Sequence, residues 1–162
     1  MKILDATCGL RSIWQEKHNK DTTYINIRPE VRPDFVCDAT RTPFHNQAFD
    51  MILFDPPHRK FSPCIKSLGK RSMAFRYGSQ TTAERNDFVR AAFIEFSRIL
   101  KDDGVVLFKW NDCGTPITKI LPLCVGWVVM FGQNFARANH QNGTGTTWVC
   151  LRKADGTQKV LA

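Results

Sequence analysis

Long hydrophobic runs are missing from this sequence of 162 residues. No stretch of about 18 consecutive apolar residues occurs, so we expect no membrane-spanning helix. The N-terminal sequence Met-Lys-Ile-Leu-Asp reaches an acidic residue before any apolar core of a secretory signal forms. These absences favour a cytoplasmic protein.

Cysteine pairs with metal-binding spacing are also missing. None of the six cysteines belongs to a Cys-x-x-Cys pair, and the four histidines are scattered along the chain. A zinc site requires grouped ligands, so we expect no metal. Scattered cysteines without that spacing are typical of reduced thiols in a cytosolic protein. The cysteines are Cys8, Cys37, Cys64, Cys113, Cys124 and Cys150.

Linkers, low-complexity tracts and internal repeats are absent as well. A chain of this length fits one domain, which buries roughly 70% of its unfolded surface on folding. Hydrophobic residues make up 43% of the sequence, a value typical of globular proteins that argues against disorder. We therefore predict a single domain spanning residues 1–162.

The sequence does contain an alternation of predicted strands and helices. The best helix is predicted at 82–100, with Thr82 as N-cap and a turn at 101–104, because its apolar residues recur at helical spacing and only Glu95 interrupts them. A shorter helix, reset by Pro122, is predicted at 116–124. This alternation predicts an α/β fold with an open parallel sheet covered by helices and an antiparallel terminal hairpin. The predicted strands are 2–6, 22–27, 34–37, 49–54, 105–110, 126–131 and 146–152.

Polar or acidic residues follow each of the first four predicted strands. In open α/β sheets a ligand binds beyond the carboxyl ends of the strands, so these residues are candidates for a binding site. The first segment contains one glycine, and the last contains two consecutive prolines. The four segments are Asp5-Ala6-Thr7-Cys8-Gly9, Asn26-Ile27-Arg28-Pro29-Glu30, Cys37-Asp38-Ala39 and Asp55-Pro56-Pro57-His58.

This ordered set resembles the class I S-adenosylmethionine (SAM)-dependent methyltransferases over essentially the whole chain. The resemblance implies a Rossmann-like, mostly parallel seven-stranded sheet with an antiparallel terminal strand, helices on both faces, and SAM as cofactor. Two positions depart from the family pattern: the first turn has one glycine instead of several, and Asn26 replaces a frequent acid. The implied cofactor-binding residues are Asp5, Ala6, Thr7, Cys8, Gly9, Asn26, Ile27, Arg28, Asp38 and Ala39. Of these, Gly9 would approach the methionine part, Asn26 the ribose hydroxyls, and Asp38 with Ala39 the adenine.

The segment Asp55-Pro56-Pro57-His58 resembles the Asp/Asn-Pro-Pro-aromatic signature of methyltransferases that act on exocyclic amines of bases or on similar planar nitrogens. An sp² amine is a poor nucleophile because its lone pair is delocalised, and a carboxylate with a backbone carbonyl can accept both of its N–H groups. The resemblance implies that all four residues are catalytic, with the two prolines holding the turn rigid. His58 stands where an aromatic residue usually stacks on the target ring, and it either stacks more weakly or acts as a base.

The chain also resembles a group of small methyltransferases found in phages, prophages and bacteria. This second resemblance does not imply a substrate. The shared stretches are 5–9, 49–58, 74–79, 100–111 and 147–149.

A basic segment with interleaved aromatic residues follows the proposed catalytic turn. No acidic residue lies between Pro56 and Ala83, and the whole chain has a net charge of +8. Such a segment can hold phosphates and stack bases, so we predict a substrate loop or lid at 58–82 and nucleic acid, DNA or RNA, as the partner. The predicted substrate-binding residues are Arg59, Lys60, Lys70, Arg71 and Arg76, together with Lys109 and Asn111 at the end of the fifth long strand.

N-methylation of an adenine or cytosine amino group in nucleic acid is the function that these motifs favour, and three alternatives stay open. A methyltransferase for a small molecule or nucleotide would use the basic loop to neutralise a phosphate, and the chain has no room for a separate DNA-recognition domain. A C5-cytosine enzyme would use Cys64 as its nucleophile. A binding module would keep the fold without turnover.

Overall fold

A seven-stranded sheet forms the centre of the protein. The computed structural model describes residues 1–57, 81–112, 114–135 and 145–155. His58, the predicted loop residues Arg59 to Arg76, and Cys64 therefore lie outside the described residues. The strands are β1 (Ile3–Asp5), β2 (Thr22–Asn26), β3 (Phe35–Val36), β4 (Phe49–Phe54), β5 (Leu100–Asn111), β6 (Trp127–Phe135) and β7 (Thr146–Lys153).

The strand order of the sheet is β3-β2-β1-β4-β5-β7-β6. Strands β1 to β5 are parallel to one another, whereas β7 is antiparallel to both β5 and β6. The predicted mostly parallel sheet with an antiparallel terminal strand is thus confirmed. Because the chain leaves β1 in one direction and β4 in the other, the switch point of the sheet lies between these two strands.

One α-helix, α1 (Thr82–Ile99), covers one face of the sheet in the described part of the chain. Its Phe93 and Phe96 are buried and pack edge-to-face against Phe54 of β4. Aromatic pairs in this arrangement contribute about 0.5–1.5 kcal/mol beyond the apolar area that they bury. The helical spacing seen in the sequence therefore does mark the buried face of a helix.

The start of α1 differs by one residue from the prediction. Thr81, and not Thr82, is the N-cap: its hydroxyl accepts from the backbone N–H of Glu84 at 3.2 Å, and the Glu84 carboxylate accepts from the N–H of Thr81 at 2.7 Å. This capping box satisfies two N–H groups that the helix itself cannot bond. Thr81 and Thr82 are both suitable N-cap residues, but only Thr81 lies three residues before Glu84, the spacing that a capping box requires.

The turn predicted at 101–104 is wrong. Strand β5 begins at Leu100, directly after α1, and pairs with β4 from Phe49↔Leu100 onward with an irregularity before Met51↔Val105. A side chain at Gly104 would lie 2.7 Å from Leu100 Cγ and 2.9 Å from the Asp50 carbonyl oxygen. Glycine is thus needed here for close packing against β4, a role that a local pattern cannot distinguish from a turn.

The described cover on the opposite face of the sheet is irregular rather than helical. The segment between β1 and β2 places the Trp14 ring edge-on to the Tyr24 ring, with centroids 5.6 Å apart. The Arg11 guanidinium lies over the Tyr24 ring, with its central carbon 3.9 Å from the ring centroid. Cation–π and edge-to-face contacts stabilise this segment in place of a helix.

The helix predicted at 116–124 is two short 3₁₀ helices, Ile117–Lys119 and Leu121–Leu123. Pro122 disfavours a continuous α-helix over this segment because proline lacks an N–H donor. No helix in the described ranges is both long and apolar enough to cross a membrane.

Candidate functional site at the carboxyl edge of the sheet

The carboxyl ends of β1, β2, β4 and β5 meet at one edge of the sheet. Their registers place Asp5 beside Tyr24 on one side and Leu53 on the other, and Phe54 beside Phe108. Residues that follow these pairs, including Asp55 and Lys109, are therefore neighbours at the same edge. Because β3 is parallel to β2, the described residues of all four sequence-predicted segments lie at this edge.

Asp5 is a fully buried carboxylate at the end of β1. It accepts hydrogen bonds from the Trp14 indole N–H at 2.8 Å and from the backbone N–H of Thr7 at 3.2 Å. Burial raises its pKa from 3.8 to about 6, against the lowering effect of these two hydrogen bonds, and the nearby Asp55 charge adds a smaller rise. The two acids of the site are thus close enough for their charges to interact.

Thr7 joins the turn after β1 to the turn after β4. Its hydroxyl oxygen accepts from the backbone N–H of Asp55 at 2.9 Å, and the N–H of Ala6 donates to the carbonyl oxygen of Leu53 at 2.9 Å. The predicted cofactor segment and the predicted catalytic turn are therefore held in a fixed relation. Sequence reasoning placed Thr7 in the cofactor segment but did not find this link, because the two residues are 48 positions apart.

Cys8 and Gly9 complete the turn after β1. The Cys8 N–H donates to the carbonyl oxygen of Ile25 at 3.1 Å, and burial raises the pKa of the thiol to about 12, so the thiol is protonated at neutral pH. Gly9 has a φ of +48°, and an added Cβ atom would meet only the Thr7 carbonyl oxygen, at 3.8 Å. Glycine is favoured here by the left-handed backbone and not by crowding from other residues. The space around its Cα atom is open.

Asn26 and Asp38 both accept hydrogen bonds from the backbone two residues ahead. Asn26 Oδ1 accepts from the Arg28 N–H at 3.0 Å, and Asp38 Oδ1 accepts from the N–H and the hydroxyl of Thr40 at 2.8 and 2.9 Å. Such Asx turns fix the side chains at the ends of β2 and β3. Asp38 is exposed and Ala39 is buried beside it, so the carboxylate lies at the surface of the edge. Ile27 is also exposed.

The Lys109 ammonium forms an ion pair with Asp55, with 2.6 Å between Nζ and Oδ2. Their side chains are 22% and 21% exposed, so the pair lies at the rim and not in the core. Lys109 stands opposite Trp148 in the β5–β7 register, and its Nζ lies 5.9 Å from the Trp148 ring centroid. The sequence predicted Lys109 on the substrate side, but the pairing became visible only from the register of β4 and β5.

Asn111 and the two prolines complete the described part of the site. Asn111 Nδ2 donates to the Thr146 hydroxyl at 3.0 Å, which fixes the last rung between β5 and β7. Pro56 is buried and Pro57 is half-buried after Asp55. Among the described residues, no three histidine, cysteine or acidic side chains lie close enough together to hold a metal ion.

Arg85 is a buried charged residue that sequence reasoning missed. It is 2% exposed, and its Nη1 donates to the Thr115 hydroxyl at 3.0 Å, close to the ring of Trp110. The Trp110 indole N–H donates to the Thr115 carbonyl oxygen at 2.9 Å. Burial lowers the pKa of the guanidinium. An arginine in the first turn of a helix looks like a surface residue in the sequence, which gave no signal for this position.

Comparisons with known proteins agree on the fold. The chain matches no protein-family model and no curated protein sequence. It is similar in structure to a SAM-dependent methyltransferase from Methanosarcina mazei, with 14% identity, a TM-score of 0.58, and coverage of 94% of this chain and 92% of that one. It is also similar to a geranyl diphosphate methyltransferase in complex with SAM, with 8% identity, a TM-score of 0.61, and coverage of 94% and 78%.

A third similar structure is the [4+2]-cyclase SpnF, with 14% identity, a TM-score of 0.59, and coverage of 96% of this chain and 76% of that one. Together with the strand order, these similarities show that the chain has the Rossmann-like fold of class I methyltransferases. At these identities the likeness concerns the fold, and the chemistry must be argued from the site.

Proposed function

We propose that this protein is a SAM-dependent N-methyltransferase that acts on the exocyclic amine of an adenine or cytosine in DNA or RNA. The single observation that carries the proposal is the position of Asp55. Its carboxylate follows β4 at the switch point of the sheet, and its backbone N–H is bonded to Thr7 of the turn after β1. In the Rossmann-like fold a ligand binds at this place.

The residues at the edge fit SAM as cofactor. The open space at Gly9 permits close approach to the methionine part, and the exposed Asp38 carboxylate suits the amine of an adenine ring. Asn26 offers an amide to the ribose hydroxyls, with Ile27 and Arg28 beside it. When bound, SAM supplies an electrophilic methyl group. The other proposed cofactor residues are Asp5, Ala6, Thr7, Cys8 and Ala39.

Asp55 has the chemistry that a planar amine requires. Its carboxylate accepts one N–H of the amine and the Pro56 carbonyl accepts the other, which favours a tetrahedral nitrogen with an available lone pair. The proton that the nitrogen loses then passes by way of the Asp55 carboxylate to solvent. Pro57 keeps the turn rigid, and His58 covers the target ring. Most of the rate gain on this proposal comes from positioning and from stabilising charge.

Charge supports nucleic acid as the substrate. The chain has a net charge of +8, and the proposed substrate loop at 58–82 within the single domain 1–162 carries no acid. Its basic side chains would bind phosphates, and a base in a duplex would have to be flipped out of the stack. Arg59, Lys60, Lys70, Arg71 and Arg76 are the proposed phosphate contacts, and Lys109 and Asn111 line the substrate side.

A small-molecule or nucleotide substrate is the second candidate. One observation favours it: a geranyl diphosphate methyltransferase shares the fold. On this alternative the basic loop binds a phosphate of the small substrate. Cys64 as a C5-cytosine nucleophile would apply only if the product carried its methyl group on carbon.

Methyl transfer from labelled SAM tests the proposed function. The protein is incubated with DNA, RNA and nucleotide fractions, and the labelled product is identified by mass spectrometry. We expect an N-methylated base with the wild type and with Asp50→Ala, an acid on β4 away from the carboxyl edge, and none with Asp55→Ala. Label in the nucleotide fraction alone would establish the second candidate, and calorimetry showing no SAM binding to the folded protein would refute both.

A further inference from the structure

The Asp55–Lys109 ion pair contains donor and acceptor groups that the contact between the two side chains does not use. Lys109 donates to Asp55 Oδ2 at 2.6 Å, and an ammonium has three N–H donors in all. Within the described part of the chain, Asp55 Oδ1 accepts no hydrogen bond. Both side chains are about one-fifth exposed at the carboxyl edge. The pair therefore presents an acceptor and a donor side by side to whatever binds there.

Strand register holds this pair in position. Phe54 stands beside Phe108 in the parallel pairing of β4 and β5, so the next residues on each strand are neighbours on the same face. On its other side Lys109 stands opposite Trp148, whose ring limits where the ammonium can move. A side chain confined between an acid and an aromatic ring presents its remaining donors in a limited set of directions.

Stability alone gives a weak reason for a lysine at this position. A partly exposed ion pair contributes about 0–1 kcal/mol, because solvent screens the charges and two side chains lose freedom. The neighbouring Leu107 and Val105 on the same face of β5 show that apolar residues are accommodated there. The location beside the proposed reacting group points to recognition instead.

We propose that Asp55 and Lys109 together read the edge of the target ring. Asp55 Oδ1 accepts an N–H of the exocyclic amine, while Lys109 donates to an acceptor atom next to that amine. The substrate is then an amine whose carbon also carries an acceptor, as in the amidine-like edges of adenine and cytosine. Simple alkylamines and anilines lack the second atom. This inference rests on the proposed function and adds Lys109 as a specificity-determining residue.

Deaza analogues test the inference directly. Single-stranded oligonucleotides carry one target base, either adenine and 1-deazaadenine, or cytosine and 3-deazacytosine. In 7-deazaadenine, which serves as a control, the replaced nitrogen is not bonded to the amine-bearing carbon. For the base that the wild type methylates, we expect kcat/KM to fall about 10- to 100-fold when the ring nitrogen read by Lys109 is replaced by carbon, because the ammonium, covered by the bound base, then loses its partner. Lys109→Met should lower kcat/KM on the natural base by a similar factor and remove the discrimination.

The control is the other lysine–aspartate pair between β4 and β5. Lys101 contacts Asp50 at 2.5 Å near the opposite end of these strands, so Lys101→Met should keep wild-type kcat/KM and wild-type discrimination. Lys109→Arg keeps a donor and should recover part of the discrimination, and it covers the case in which Lys109→Met does not fold.

Three outcomes separate the proposals. Equal wild-type rates on natural and deaza bases, or discrimination that persists in Lys109→Met, would overturn the role of Lys109 and leave the proposed function standing. Methylation of no base at all would refute the proposed function and this inference with it. Loss of discrimination in Lys109→Met with retention in Lys101→Met would support both.

Discussion

Asp5 is a buried acid whose ionised form lowers the stability of the folded protein. Its folded-state pKa of about 6 lies above the ordinary value of 3.8, so the folded protein binds the proton more tightly than the unfolded chain does. Stability from this group is therefore present at low pH and falls as pH rises from about 4 to 6. Above that window the ionised carboxylate remains a net cost.

Replacing Asp5 by asparagine should therefore stabilise the protein at pH 7. The amide oxygen can still accept from the Trp14 indole N–H, whereas the longer bond from the Thr7 N–H to the other oxygen is lost. The cost of burying a charge disappears, which outweighs the loss of that bond. We expect a gain in unfolding free energy of up to about 3 kcal/mol, since each unit of pKa shift corresponds to about 1.4 kcal/mol. Urea unfolding of both proteins between pH 4 and 8 measures the difference, which should vanish toward pH 4.

The matched control is Asp50→Asn, for which the sign is opposite. A hydrogen bond from Lys101 lowers the pKa of Asp50, so its contribution is present at neutral pH and lost on acidification. Asp50→Asn should lower stability at pH 7. If Asp5→Asn also destabilised the protein at pH 7, the buried-charge account of Asp5 would be wrong.

Asp55 is the residue on which the proposed chemistry depends. Asp55→Ala should reduce the rate of methyl transfer about 10²- to 10⁴-fold, the range for losing a catalytic polar group. Folding and SAM binding should survive, because the side chain is partly exposed and Lys109 can be solvated when its partner is removed. Single-turnover kinetics and calorimetry with SAM measure the two effects separately.

Near-normal turnover of Asp55→Ala with a verified substrate would rule out amine positioning by this carboxylate. Cys64 is the residue to replace next in that case.

At the scale of elements, Glu95 joins α1 to the segment between β3 and β4. It is the polar exception in the apolar stripe, and its Oε1 accepts from the N–H and hydroxyl of Thr42 at 2.8 and 2.7 Å and from Arg98 at 2.6 Å. Arg98 in turn donates to the carbonyl oxygen of Phe44 at 2.7 Å. Burial raises the pKa of Glu95, but the hydrogen bonds from Arg98 and Thr42 outweigh it and lower the pKa overall.

Glu95→Ala should destabilise the protein by about 1–3 kcal/mol at pH 7, because it leaves polar partners of a largely buried carboxylate unsatisfied. Since the folded pKa is lowered, this contribution should be lost as pH falls below about 4.5, the ordinary value for glutamate. Chemical unfolding at pH 7 and at pH 3.5 measures the change. Glu30→Ala, on an exposed 3₁₀ helix, should change stability little at either pH. An equal effect of both substitutions would contradict this account.

At the scale of the whole molecule, the contribution of positive charge to nucleic-acid binding can be measured from its salt dependence. If the proposed loop contacts phosphates, log Kobs for duplex DNA should fall with log salt at a slope of about −0.9 per contact. Neutralising Arg59, Lys60, Lys70 and Arg71 should flatten that slope and leave SAM affinity nearly unchanged. Fluorescence anisotropy with labelled duplex across a salt series measures the slope.

Neutralising Arg90 and Lys101 provides the comparison, because each is paired with an acid in the structure. Binding that does not depend on salt, or no binding to any nucleic acid, would favour the small-molecule alternative.

The sequence by itself determined the strands, the long helix and the order in which they occur. Phe49–Phe54 was predicted at both bounds because a continuous apolar run suits a strand buried on both faces. The candidate acids Asp5 and Asp55 were found because they follow such runs directly. These features depend on neighbours in the chain, so local patterns suffice to predict them.

Only the tertiary structure decided how the strand ends act on one another. The contacts of Thr7 with Asp55 and of Lys109 with Asp55 join residues that are distant in sequence. Trp14 reaches Asp5 from the irregular segment between β1 and β2. Gly104 belongs to β5 rather than to a turn because β4 packs against it. Register and burial arise from pairing between residues that are distant in the chain. For this reason a segment that looks like a turn in the sequence can belong to a strand, and a basic residue that looks solvent-exposed can form an ion pair.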